Sequence, residues 1–157
     1  VESEQGRDLF DRLLKAWSES GGRHMAFYPG VIEGVEQLKD KGIRVALVTN
    51  KQRSLTVEFL QSRGLESLFD TVVAGDDCPN NKPAPDMLIR AMTEMNVCAS
   101  ETVMVGDSLT SDIRGGSNTG LRTVWFNPHG KEPRPDIRPS YTIHALSELL
   151  PLLASTQ

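Results

Sequence analysis

Short unbroken apolar runs alternate along this chain with stretches in which apolar residues recur every three or four positions. Unbroken runs rich in β-branched residues fit strands buried on both faces, and the longer spacing fits helices that bury one side. IRVALV (43–48), DTVVAG (70–75), ETVMVGD (101–107) and RTVWF (122–126) predict four strands, and SYTI (140–143) a further one. Between them, YPGVIEGVEQLKDKG (28–42) predicts a helix that buries Val31, Val35 and Leu38 and stops at Gly42. Residues 52–63 predict a second helix, with Leu55, Phe59 and Leu60 inward and Gly64 as its stop. APDMLIRAMTEM (84–95) predicts a third, with Met87, Leu88, Ala91 and Met95 on one side; this stripe reads as core, not as a ligand surface. LTSDIRGGSNTG (109–120) predicts a short helix and HALSELLPLL (144–153) a closing one. Near the start, DLFDRLLKAW (8–17) places Leu9, Phe10, Leu13, Leu14 and Trp17 on one helical face before SESGGRH breaks the pattern.

Strands that alternate with helices predict an α/β fold, a three-layer open sheet that is mostly parallel. Ligands of such sheets gather beyond the carboxyl ends of the strands, near a switch in strand order. Chemistry is therefore expected just after the strands.

Composition narrows the class. The 157 residues fit one domain, and 38% hydrophobic with 24% charged residues describe a globular chain. A net charge of -4 without a long basic run excludes a nucleic-acid footprint. No stretch reaches the ~18 apolar residues of a membrane span. Cys78 and Cys98 stand twenty residues apart without a CxxC, which reads as reduced thiols, with one disulfide as the alternative. With no secretory signal at its start, the chain is expected in the cytoplasm. It opens on Val1 instead of Met, as a chain entered partway along would.

Three stretches put polar groups where a ligand is expected. VTNK places Thr49 and Asn50 after the first strand, as oxyanion donors or as caps of the next helix. NNKPAPD holds Lys82 before Pro83 and Pro85, so its ammonium is either aimed at an anion or plainly superficial. VMVGDSLTSD places Asp107 and Asp112 about a helical turn apart, as an acidic helix start or as a magnesium site. Two carboxylates without a fixed cation repel each other, and a divalent ion removes that penalty. Taken together the three compose a phosphate-and-metal site. The proline-rich loop NPHGKEPRPDIRP (127–139) follows a strand end, so His129 and Lys131 are candidate substrate contacts; His24 and His144 read as solvent-facing or capping. GGSNTG closes a helix and lacks the G-x-G-x-x-G of a dinucleotide site.

LVTN (47–50), KPAPD (82–86) and MVGDSLTSDIRGGSNTG (104–120) resemble the second, third and fourth motifs of the haloacid dehalogenase-like hydrolases, over about residues 27–150. Residues 27–51 and 72–92 look most like phosphoglycolate phosphatases, and residues 120–150 are more similar to nucleotidases of the same superfamily. The resemblance implies a Rossmann-like core and a Mg²⁺-dependent phosphatase. Its substrate would be a small phosphorylated metabolite such as phosphoglycolate, or alternatively a nucleoside 5′-monophosphate. It implies that Thr49 hydrogen-bonds the transferring phosphoryl group with Asn50 behind it. Lys82 would stabilise charge there, Asp107 would ligate Mg²⁺, and Asp112 would hold metal-bound water or orient Lys82. A dehalogenase of the same fold needs no Mg²⁺, so the paired aspartates argue against one.

The family's nucleophile motif, of DxDGT type, is absent from these 157 residues, and Asp8 and Asp11 have the wrong spacing for it. Residues 1–26 are therefore expected to be the C-terminal part of a helical cap, and 27–157 the core. The first central strand is expected to be missing, leaving a gap for an upstream segment or a partner strand. The chain alone is expected to be inactive. The other reading is a non-catalytic domain that binds phosphate or a protein.

Overall fold

The computed structural model describes residues 2–5, as backbone, and 28–155 with their side chains. Six strands form one parallel sheet: β1 (Glu2–Gln5), β2 (Val45–Val48), β3 (Thr71–Val73), β4 (Thr102–Gly106), β5 (Arg122–Phe126) and β6 (Tyr141–Ile143), in the order β3-β2-β1-β4-β5-β6. The helices are α1 (Val31–Asp40), α2 (Arg53–Ser62), α3 (Asp86–Met95), α4 (Arg114–Asn118) and α5 (Leu149–Ser155). The strands and helices predicted within residues 28–155 all form, with ends shifted by a few residues.

The buried strands sort their side chains by the two-residue period of a pleat. Val45 and Leu47 join Val103, Val105, Val124 and Phe126 in a core covered by Val31, Val35, Leu38, Phe59, Leu60, Leu149 and Leu153. Ala46 and Val48, from the same strand, face the other way with Val73 and Met104. There the layer is Met87, Leu88, Ala91, Met92 and Met95 of α3, so the methionine stripe is core. Cys78 and Cys98 are both free thiols.

One expectation is corrected at the centre of the sheet. The gap foreseen between β2 and β4 is filled by β1, whose Ser3 pairs with Val45 on one side and Val103 on the other. Strand pairing is a main-chain ladder and does not require apolar side chains. ESEQ has none, so a search by hydrophobic pattern passes over it. The helix predicted over 8–17, and His24, lie outside the described residues.

Two smaller departures matter locally. The helix expected over 109–120 opens as a π-type turn, Leu109–Ile113, before α4. Ile113 N–H reaches back five residues to Ser108 O at 3.0 Å, while Ser108 Oγ accepts from Ser111 N–H at 3.1 Å. Such turns widen the helix where a side chain must be re-aimed, here Asp112. In α2, Thr56 takes the buried place expected of Leu55 and donates its hydroxyl to Gln52 O at 2.9 Å.

Sheet order positions the site. The chain runs outward from β1 through β2 to β3, then crosses back to β4 and runs outward the other way. The switch lies at the carboxyl ends of β2, β1 and β4, and Thr49 and Asp107 are the first residues beyond β2 and β4.

Candidate active site

Thr49 is fully buried, its N–H bonded to Val73 O at 2.9 Å and its Oγ1 accepting from Lys51 N–H at 3.1 Å. It does not cap α2, whose N-cap is Gln52. Asn50 does not cap it either. Its amide accepts from Lys82 N–H and donates to Lys82 O, both at 3.1 Å, so both ends of the amide hold the lysine main chain.

Lys82 is not superficial. Its side chain is closed to solvent, and Nζ donates to Val48 O and to Asp112 Oδ1, each at 3.0 Å. Asp112 is equally closed, and its Oδ2 accepts from Ser108 N–H at 3.3 Å. Gly106 makes this packing possible, because a Cβ there would sit 2.2 Å from Asp112 Oδ2. The strand end, the lysine loop and the π-type turn therefore meet in one buried ion pair.

Asp107 stands beside the pair. Ser108, not Asp107, is the N-cap of the turn that follows. Burial first, and the neighbouring Asp112 second, push the Asp107 carboxyl up to about 7, with the Lys131 charge pulling the other way. Tyr28 donates its hydroxyl to Asp107 Oδ2 at 3.4 Å, and Trp125 donates Nε1–H to Asp107 O at 3.2 Å. The ring of Tyr28 meets Phe126 edge-on at 5.5 Å and lies 6.0 Å from His129.

Thr49, Asn50, Lys82, Asp107 and Asp112 are thus brought together, with His129 and Lys131 at the rim. His144 stands apart from the aspartates: its Nδ1 pairs with Asn127 O at 2.8 Å and its N–H donates to Glu148. Sequence reasoning missed Tyr28, Trp125 and Asn127. Tyr28 in the loop before α1 and Trp125 within β5 signal nothing until the strand order is known.

Hard oxygen donors and a locally unfavourable negative charge are the conditions that suit Mg²⁺, which accepts one or two carboxylates and keeps waters. The Asp107 carboxyl, held toward its acid form, meets both. Among the described residues no group of three His, Cys, Asp or Glu forms a cage. An ion here would draw on Asp107, with Asp112 behind it holding Lys82. No helix among the described residues is long and apolar enough to cross a membrane.

A family model of haloacid dehalogenase-like hydrolases matches residues 1–126. The chain is 37% identical over 128 residues to pyrophosphatase PpaX of Halalkalibacterium halodurans, covering 80% of this chain and 59% of that protein. It is 38% identical over 154 residues to phosphoglycolate phosphatase of Vibrio parahaemolyticus, covering 96% of this chain and 65% of that protein. Both relatives extend well beyond the part this chain matches. Among solved structures, a HAD phosphatase from Thermococcus onnurineus superposes with a TM-score of 0.77 at 30% identity, covering 92% of this chain and 64% of that one.

Proposed function

This chain belongs to the haloacid dehalogenase-like hydrolases, and we propose that its site holds the phosphoryl group and the Mg²⁺ of a phosphatase for small phosphorylated metabolites. The observation that carries the proposal is the shut-in ammonium of Lys82 between Asp112 and the carbonyl of Val48, the residue before the buried Thr49. A buried ammonium is costly unless it is paired and hydrogen-bonded, and Asp112 with Val48 O meets that condition here. An ammonium has three N–H bonds, and two of them have acceptors among the described residues. The third is assigned to a phosphoryl oxygen, with the Thr49 hydroxyl on a second oxygen.

Asp112 fixes where the Lys82 ammonium points, and Asn50 holds the lysine main chain. Mg²⁺, when bound at Asp107, would neutralise charge that develops on the phosphoryl oxygens. The relatives named as a pyrophosphatase and a phosphoglycolate phosphatase support a phosphate ester or anhydride as substrate, phosphoglycolate among them. Because no DxDGT-type motif occurs in these 157 residues, this chain by itself is proposed to bind phosphate without turning an ester over. A cytoplasmic setting is part of the same reading.

The test is a ³¹P NMR titration of inorganic phosphate with Mg²⁺ present, paired with a phosphate-release assay on phosphoglycolate. Saturable shifts with the unaltered chain, lost in Lys82→Met, with no release by either, are the expected result. Equal phosphate binding by Lys82→Met would overturn the assignment. Release by the unaltered chain above the variant would overturn the claim of binding without turnover.

A further inference from the structure

The clamp that Asn50 places on Lys82 occurs a second time in this molecule. Asn127, the first residue beyond β5, accepts from Lys131 N–H at 2.8 Å and donates Nδ2–H to Lys131 O at 2.9 Å. Each clamp is an asparagine just past the carboxyl end of a strand, gripping both main-chain groups of a lysine from a following loop. Asn127 is itself well anchored. It is 5% exposed, its N–H bonds Ile143 O at 2.8 Å, and its O faces His144 Nδ1 at 2.8 Å.

The two lysines differ in what surrounds the ammonium. Lys82 is buried and ion-paired, whereas Lys131 is exposed and has no ion pair among the described residues. Its loop is fixed against the site, because Tyr28 touches Asp107 through its hydroxyl and His129 through its ring. A solvated lysine on a slack loop loses rotamer and backbone freedom when it binds an anion. Two hydrogen bonds on its own peptide groups remove the backbone share of that cost in advance.

Resting on the phosphoryl reading of Lys82 and Thr49, we propose that Lys131 is a second ligand-binding cation of this site. It takes a further anionic group on the same phosphate ester, and Asn127 is its positioning residue. The ligand class is then a phosphate ester that carries a second negative group on its leaving part, not one with a neutral tail.

Phosphoglycolate and ethyl phosphate, which differ by a carboxylate in place of a methyl, test this by isothermal titration with Mg²⁺ present. The unaltered chain is expected to prefer phosphoglycolate. Lys131→Met should weaken phosphoglycolate about tenfold, the worth of one charged hydrogen bond, and leave ethyl phosphate within about twofold. Lys131→Arg should restore the preference. Asn127→Ala should lower it while still binding ethyl phosphate, which a merely unfolded variant would not. Undiminished preference in Lys131→Met would overturn the inference and leave the phosphoryl reading standing. Failure of the unaltered chain to bind either ester would overturn both.

Discussion

Lys82 Nζ lies 3.0 Å from Asp112 Oδ1, and neither side chain reaches solvent. The lysine comes from the loop before α3 and the aspartate from the π-type turn after β4, so the pair ties together two crossovers of the sheet. Removing one partner leaves an uncompensated buried charge. Lys82→Met or Asp112→Asn should each cost about 3–5 kcal/mol in urea unfolding. The double variant Lys82→Met/Asp112→Asn should cost clearly less than the sum of the two, because the second change removes the charge that the first one stranded. Additive losses would show that the pair does not couple.

Asp107 should make stability depend on pH. Its carboxyl is raised in the folded chain from an ordinary 3.8 to about 7, chiefly by burial and then by Asp112. The folded state therefore binds the proton more tightly than the unfolded state. Stability from this group is greatest below the unfolded value and falls as pH rises from about 4 to about 7, by at most about 1.4 kcal/mol per unit. Above about 7 the dependence ends. Thermal unfolding across that range should show the fall in the unaltered chain and lose it in Asp107→Asn.

Two glycines should respond oppositely to alanine. At Gly106 a new Cβ would meet Asp112 Oδ2 at 2.2 Å and Asp112 Cγ at 2.4 Å. Gly106→Ala should displace Asp112 and cost about 3 kcal/mol, at the upper end of overpacking. At Gly34, inside α1, the nearest atom would be Leu146 Cβ at 3.7 Å, an ordinary contact. Gly34→Ala should stabilise by up to about 1 kcal/mol through helix propensity. Chemical denaturation of both variants checks the contrast.

Asn50 acts through Lys82. Asn50→Ala removes a donor and an acceptor from the lysine main chain and should cost about 1–3 kcal/mol. Phosphate affinity should fall with it although Asn50 would touch no phosphate. Asn50→Asp keeps the acceptor for Lys82 N–H and should retain more stability than the alanine. A variant that loses stability and binds phosphate unchanged would show the clamp to be purely structural.

Most of the fold was legible because β2, β4 and β5 are apolar on both faces and α3 shows its methionines at helical spacing. β1 was not legible, since its place is set by ladder bonds to Val45 and Val103 and its residues are polar. The site was readable as a set of strand-end residues, Thr49, Lys82, Asp107 and Asp112. Its internal wiring was not. That Lys82 faces Asp112, that Asn50 grips Lys82 and that Tyr28 reaches Asp107 across 79 positions follow from strand order and crossover paths, which local pattern does not encode. The Asn127 clamp spans only four positions, and it was hidden because an asparagine in a proline-rich loop does not itself show which main-chain groups its amide grips.

The most direct measurement is the linkage between Mg²⁺ and phosphate. Phosphate affinity is measured with and without Mg²⁺ for the unaltered chain and for Asp107→Asn, and binding couplings of this kind are reciprocal. If Asp107 holds the ion beside the phosphoryl group, Mg²⁺ tightens phosphate in the unaltered chain and does nothing in Asp107→Asn. Identical enhancement in both, or none in the unaltered chain, would contradict a magnesium site built on Asp107.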